Sequence, residues 1–206
     1  IASLDWLQTF PYDCNEQIIS KFLGNLVTYQ ALQGLGVEDP DMTAQLQDEV
    51  AKAVQKLQRR QNPDGGWGWW GNEKSSPFTS TYVVYGLLRA QSAGFGVDQT
   101  TVDRGLDYLT RQLKPVQSAQ GWELNQQAFI LYVLALGGQG DTGRTVALYD
   151  VRERLAHYGE AWLALAFEQL RDAGETTAQE RIDTLVDDLL GSAVVSATGA
   201  HWEETT

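Results

Sequence analysis

Cys14, the only cysteine of the 206-residue chain, is followed three residues later by Gln17 in the segment Phe10-Pro11-Tyr12-Asp13-Cys14-Asn15-Glu16-Gln17. A thiol held beside a carboxamide has one evident intramolecular reaction. Sulfur attacks the Gln17 carbonyl carbon, ammonia leaves, and a cyclic thioester remains. Proximity of a well-oriented pair can supply about 7–11 kcal/mol of such a barrier. The segment reads as a helix start, with Asp13 as N-cap and Glu16, three residues on, as its capping-box partner. That places Cys14 in the first turn, where unpaired N–H groups and the helix dipole favour a thiolate. Gln17 then shares a helix face with Cys14 and comes within its reach. Alone, Cys-x-x-Gln is a weak signal, because the pair arises by chance in many helices. From its count alone, a lone cysteine is more often an inert core residue.

The elements that must position this pair read as all-α. Apolar residues recur at helical spacing almost throughout, and no stretch sustains the alternation of a half-buried strand. The spacing predicts helices over 16–34, 44–61, 78–93, 98–113, 124–137, 145–157, 159–173 and 177–191, separated by short turns of Gly, Pro, Asn and Asp. A weak repeat underlies them: an amphipathic helix, a polar turn, Gly-Trp, then a more apolar helix. Gly66-Trp67 leads into Thr81-Tyr82-Val83-Val84, and Gly121-Trp122 leads into Ala128-Phe129-Ile130-Leu131. Helices apolar on all sides must be surrounded, so the repeat predicts an α/α toroid of helical hairpins in which each Trp plugs a seam. Closing such a ring takes one or two more hairpins than these residues provide. Residues 194–204 read as a short extended segment ending on Trp202.

Composition narrows the function. The chain is 43% hydrophobic and 20% charged, enough to build one substantial core, so a single domain over 1–206 is the default. It begins Ile1-Ala2-Ser3, without signal peptide or transmembrane span, and reads as a piece excised from a larger protein. A net charge of −12 argues against nucleic acid and anionic membranes as partners. One cysteine excludes an intrachain disulfide and a multi-Cys zinc site, and no metal or cofactor is indicated. His157 and His201 have no recognisable triad or metal partner and read as structural or surface residues.

Pro11-Tyr12-Asp13-Cys14-Asn15-Glu16-Gln17 resembles the Pro-Tyr-Gly-Cys-Gly-Glu-Gln motif of the α2-macroglobulin and complement thioester family. The resemblance extends through Phe22, Leu23 and Asn25, Asp64-Gly65-Gly66-Trp67-Gly68, Thr79-Ser80-Thr81-Tyr82 and the helix around Phe129, and so covers most of the chain. It implies the thioester-bearing α/α toroid of a bacterial α2-macroglobulin-like protease inhibitor. In that reading Cys14 and Gln17 form the thioester, and Glu16 belongs to the motif without an assigned role. The target proteases are captured covalently through lysine amines, and neighbouring domains of the parent protein are partners that complete the shield around the thioester. The implied setting is extracytoplasmic, periplasmic or at the cell surface, with any lipid anchor in another part of the parent. The chain would then be an endopeptidase inhibitor with single-use acyl-transfer chemistry rather than an enzyme.

Asp13 and Asn15 replace the two glycines of the animal motif. The stretch 121–127 also lacks the histidine that the complement branch uses to favour hydroxyl acceptors. Water must be kept from the thioester until it is triggered, and Trp6, Phe10, Tyr12, Phe22 and the inner-helix aromatics are candidates for that shield. Two other classes share the features. Gln61-Asn62-Pro63-Asp64-Gly65-Gly66-Trp67 resembles the repeat of terpene cyclases, and prenyltransferases use the same toroid. However, the Asp-x-Asp-Asp cyclase motif is absent, Asp187-Asp188 lies on a solvated helix face, and there is no zinc constellation. A non-reactive binding scaffold with an inert buried thiol is the third reading.

Overall fold

The computed structural model of the chain describes residues 13–36 and 39–203. Among these lie eight α-helices and one two-stranded sheet. The chain divides into two compact units, Ile1–Arg111 and Gln112–Thr206.

In the first unit, α1 (Asn15–Gly34) packs on α2 (Pro40–Arg59) and α3 (Pro77–Ser92), and α4 (Gln99–Gln112) follows. Helix α2 starts four residues earlier than its apolar periodicity predicts, because its first turn is set by capping. Asp39 accepts a hydrogen bond from the Met42 N–H at 3.0 Å, and Pro40 supplies the fixed φ of the first position. Ser76 and Pro77 start α3 in the same way, with the Thr79 N–H 3.4 Å from Ser76 Oγ. On α2 one stripe is buried, Leu46, Val50, Val54 and Leu57, whereas α3 is buried on most sides. This is the amphipathic and apolar pairing that the repeat predicts. Ile19, Phe22 and Leu26 of α1 are fully buried, each burial contributing about 1.5–3 kcal/mol. Phe22 lies so close to Gly86 of α3 that a Cβ there would stand 2.8 Å from its ring.

The connection from α2 to α3 is a folded loop built on Trp67. Its indole is fully buried and donates from Nε1 to the Leu57 carbonyl at 2.8 Å, a second bond to a carbonyl at the C-terminal end of α2 that also accepts from the Arg60 N–H. The Trp67 N–H donates to Ser80 Oγ at 2.8 Å. Gly65 takes φ +91°, and a Cβ on it would overlap the Arg104 carbonyl. Asp64 Oδ1 accepts from the Gly66 N–H and Ser75 Oγ, closing the loop.

In the second unit, α5 (Gly121–Leu136) packs on α7 (His157–Asp172), α7 packs on α8 (Ala178–Ser192), and α6 (Thr142–Tyr149) sits against α5 and α7. Burial in α5 runs unbroken from Gln127 to Leu134, as expected of a helix apolar all round. Helix α6 ends at Tyr149, short of the predicted 157, and a 3-10 turn at Arg152–Arg154 separates it from α7. Residues 194–204 do contain the expected extended segment: β1 (Val194–Ser196) pairs antiparallel with β2 (Gly199–His201).

The Gly-Trp repeat is less regular than the sequence predicts. Gly121 and Trp122 are the first two residues of α5, so Trp122 points to solvent at 63% exposure instead of plugging a seam. Trp202 is also exposed, with Nε1 donating to the Leu189 carbonyl at 2.7 Å. Only Trp67, of these three, is a plug.

Candidate functional site

Helix α1 begins at Asn15, and Cys14 itself occupies the N-cap position with φ −73° and ψ 158°. This corrects the assignment of Asp13 as N-cap. The Asp13 carboxylate is already engaged, with Lys56 Nζ at 2.6 Å and Arg60 Nη2 at 2.8 Å. The correction tightens the relation between the two reactive residues. Cys14 at N-cap and Gln17 at N3 stand at the two sequence positions of a capping box, although no side-chain cap hydrogen bond forms there. The Cys14 carbonyl accepts the first helical bond, from Ile18 N–H at 3.0 Å.

Cys14 is buried, with 7% of its surface exposed. Its Sγ lies 4.0 Å from Glu16 Oε2. The other oxygen of Glu16 accepts from Ser20 Oγ at 2.9 Å, one helical turn on, and Ser20 Oγ is 3.2 Å from the Tyr82 hydroxyl of α3. Burial raises the Tyr82 pKa, and the nearby Glu16 and Tyr85 charges add to this, outweighing the opposing bond from Ser20. Glu16 is therefore no capping-box partner of Asp13. It is a carboxylate held beside the sulfur, oriented by Ser20 with Tyr82 behind it. Gln17 Oε1 is buried and has no hydrogen-bond partner among the described residues.

The segment is held from two sides. Asn15 is fully buried; its N–H donates to the Trp69 carbonyl at 2.8 Å and its Nδ2 to the Gly68 carbonyl at 2.9 Å. Both acceptors belong to the Trp67 loop, in which a Cβ on Gly68 would press on Glu73 and Lys74 at 2.9 Å. From the end of α2, Arg60 Nη1 reaches the Asp13 carbonyl at 2.7 Å and Asn15 Oδ1 at 3.2 Å. Burial alone would raise the Asp13 pKa, but the Lys56 hydrogen bond and the Arg60 and Lys56 charges outweigh it and hold the carboxyl below its usual value.

Beside the site the Trp69 ring stacks on Phe78 with centroids 6.2 Å apart, and Phe78 leans on Tyr82 at 6.5 Å. Trp69, Trp70 and Phe78 remain 44%, 48% and 45% exposed. Of the predicted shield, Phe22 is a core residue between α1 and α3, while Trp6, Phe10 and Tyr12 lie outside the described residues. The α5 and α7 aromatics stack on one another, with Trp162 at 4.4 Å from Phe129 and 5.5 Å from Tyr132.

The sequence reading missed Ser20, Arg60 and Lys56, and gave Tyr82 only as part of the family resemblance. The Glu16–Ser20 pair had a signal, its i,i+4 spacing. Arg60 and Lys56 had none, being brought to Asp13 across more than forty residues by the α1–α2 packing. The two histidines are placed elsewhere. His157 Nδ1 lies 3.5 Å from Ser192 Oγ and 3.6 Å from Glu160 Oε2. A relay needs the two ring nitrogens to serve opposite partners, so this Ser, His and Glu do not make one. His201 pairs with Glu203 on the surface at 3.1 Å. Asp188 of the Asp187-Asp188 pair bonds Arg152 at 3.2 Å on a partly solvated face. Among the described residues, no group of three or more His, Cys, Asp or Glu could hold a metal ion, and no helix is long and apolar enough to cross a membrane.

A cysteine at a helix N-cap, a glutamine at N3 and paired helices joined by a Gly-Gly-Trp loop thus stand together in the first unit. The chain belongs to the A-macroglobulin TED domain family, whose model matches residues 2–149. The α2-macroglobulin of Thermotoga maritima is 36% identical over 109 residues, 53% of this chain and 7% of that protein. The α2-macroglobulin of Rickettsia conorii is 29% identical over 133 residues, 63% of this chain and 7% of that protein. Thioester-containing protein 1 (allele S3) of Anopheles gambiae is 23% identical over 206 residues, 91% of this chain and 15% of that protein.

Solved structures share the fold. The native conformation of Escherichia coli α2-macroglobulin matches with a TM-score of 0.73 at 24% identity, over 90% of this chain and 12% of that one. Salmonella α2-macroglobulin reacted with methylamine matches with a TM-score of 0.74 at 22% identity, over 96% of this chain and 13% of that one. The fold class is thus the all-α toroid class of these domains. The chain spans between 7% and 15% of the length of these relatives.

Proposed function

We propose that this chain is the thioester domain of a bacterial α2-macroglobulin-like protease inhibitor and that Cys14 Sγ and Gln17 Cδ form its internal thioester. The observation that carries the reading is the placement of the pair in the first turn of α1: a buried N-cap thiol, an N3 carboxamide whose oxygen is buried with no partner among the described residues, and a carboxylate 4.0 Å from the sulfur. The family match begins in the first unit and continues to residue 149, inside the second, which supports reading 1–206 as one thioester-bearing domain of a larger protein.

In closure, Cys14 sulfur bonds to Gln17 Cδ and the Cδ–N bond breaks. The thiol proton passes to Glu16 and from there to the leaving nitrogen, which departs as ammonia. In capture, an amine of the target bonds to Cδ, the C–S bond breaks, and the amine proton ends on sulfur. The protein spends the bond once, so it is an inhibitor rather than a turnover catalyst. The amines are lysines of the attacking protease. No cofactor or metal enters either step.

The exposed Trp69, Trp70 and Phe78 beside the site suit a neighbouring domain of the parent protein, which would keep water out until the trigger. Such a protein works outside the cytoplasm, in the periplasm or at the cell surface, with any lipid anchor elsewhere in the parent. That a Salmonella relative was solved after reaction with methylamine supports the amine chemistry.

Intact mass tests the reading. Freshly prepared protein should weigh one ammonia less than its sequence, and methylamine should free one thiol while adding a methylamide at Gln17. Cys14→Ala and Gln17→Ala should each abolish both signals with the helices retained. An unmodified mass, a thiol titratable only on denaturation and no methylamine uptake would leave the inert scaffold instead.

A further inference from the structure

We infer that Arg60 is the positioning residue of the Cys14–Gln17 pair, an inference that rests on the thioester reading above. Cys14 can direct its sulfur at Gln17 only while its two backbone torsions stay at the N-cap values. Those torsions lie between two peptide groups, and each group is held by something outside α1. The peptide before Cys14 is held at its carbonyl, where Asp13 O accepts from Arg60 Nη1 at 2.7 Å. The peptide after it is held at its N–H, which donates to the Trp69 carbonyl at 2.8 Å.

The same guanidinium takes two more oxygens, one on each side of Cys14: Asp13 Oδ2 at 2.8 Å and Asn15 Oδ1 at 3.2 Å. A planar fork with five N–H donors can span three acceptors in this way, whereas a point-like ammonium cannot. Arg60 is itself well anchored. Its N–H bonds to the Lys56 and Leu57 carbonyls at the end of α2, at 3.2 and 3.1 Å. Its side chain lies against Gly71, where a Cβ would come within 3.3 Å of Nε. Lys56, one turn back, takes the remaining Asp13 oxygen at 2.6 Å.

The two residues that Arg60 grips are the two that depart from glycine in the motif. Glycines at 13 and 15 would offer turn freedom and no side-chain handle. Asp13 and Asn15 give up that freedom and supply the handles, so the two departures and Arg60 form one device for setting the Cys14 backbone.

The test is thioester occupancy, read by intact mass and methylamine-released thiol on the freshly purified 206-residue chain, with circular dichroism to confirm folding. A misplacement of about 1 Å costs on the order of a hundredfold in reactions of this type, so occupancy in Arg60→Ala should fall to roughly a tenth of wild type or below. Arg60→Lys keeps the charge and should still lose most of the occupancy, which answers the question if the alanine variant does not fold. The decisive readout is the background. With Asp13→Gly and Asn15→Gly, Arg60 retains only the carbonyl at position 13, so Arg60→Ala should still lower occupancy but by a clearly smaller factor than in the wild-type background, as expected of coupled sites. Wild-type occupancy in a folded Arg60 variant, or an equal loss in both backgrounds, overturns the assignment. A wild-type chain that never loses ammonia sinks the thioester reading itself, a result distinct from either.

Discussion

Asn15 tests how the site is held, because its two side-chain ends have fixed and opposite jobs. Nδ2 donates to the Gly68 carbonyl at 2.9 Å, and Oδ1 accepts from Arg60 at 3.2 Å, in a residue with no exposed surface. Asn15→Ala removes the donor and leaves a buried carbonyl without a partner, which costs about 1–3 kcal/mol. For a chain of this length each kcal/mol moves the unfolding midpoint by about 2–4 °C, so the midpoint should fall by roughly 2–12 °C. Asn15→Asp has the same shape but turns an oxygen toward the Gly68 oxygen and buries a charge. The gain at Arg60, about 1.5–3 kcal/mol for a charged hydrogen bond, is offset by the lost donor, and burying the ion costs several kcal/mol more. Asn15→Asp should therefore be less stable than Asn15→Ala at pH 7. Thermal unfolding followed by circular dichroism decides it. An aspartate variant as stable as wild type, or more stable than the alanine variant, would show that the donor and acceptor assignment at this residue is wrong.

Gly65→Ala forces a side chain into φ +91° and against the Arg104 carbonyl, and should cost roughly 2–5 kcal/mol by adding about 1–2 for the left-handed backbone to about 1–3 for the overlap. Gly94→Ala, at φ +84° with open space around it, should cost only the first part, and denaturant melts of the two variants check the difference. The Asp13 pKa is lowered in the fold, so the stability it contributes is present above the unfolded carboxylate value of about 3.9 and is lost as pH falls through the lower folded value. The midpoint difference between wild type and Asp13→Ala should thus be constant between about pH 5 and 7 and shrink toward zero in acid below about pH 3.9. Glycerol should label the thioester far less readily than methylamine at equal concentration. Comparable labelling would expose an overlooked general base, which mutation of His157 and His201 would then seek.

What was legible in the sequence follows from how local its cause is. The all-α class, the buried and amphipathic helices and the Cys14-x-x-Gln17 spacing are properties of contiguous residues, and periodicity reads them directly. The start of α2 was misplaced because Asp39 and Pro40 act by capping rather than by apolar spacing. The N-cap was misplaced by one residue because the Asp13 carboxylate, able to cap in isolation, is drawn to Lys56 and Arg60 by tertiary packing. The same distant cause hid the site's outer partners. Nothing in the sequence near Cys14 says that the end of α2 and the Gly68-Trp69 carbonyls will meet there. The failed plug at Trp122 has a local cause that was misread: the glycine before it begins a helix instead of making a turn.

The buried oxygen of Gln17, without a partner among the described residues, has a consequence for the history of the molecule. A buried acceptor without a donor costs about 1–3 kcal/mol as an amide, and a carboxylate in the same place costs several more. A thioester oxygen, a poorer acceptor than either, suits such walls best. On the proposed chemistry, the primary amide, the thioester and the hydrolysed carboxylate of residue 17 are thereby ranked by the burial of this oxygen. The fresh side chain gains by closing the ring, the ring is the form that burial tolerates, and hydrolysis leaves a carboxylate beside Glu16 that is pressed outward toward water. Armed molecules and molecules lost to hydrolysis would then differ in whether the first turn of α1 can stay packed.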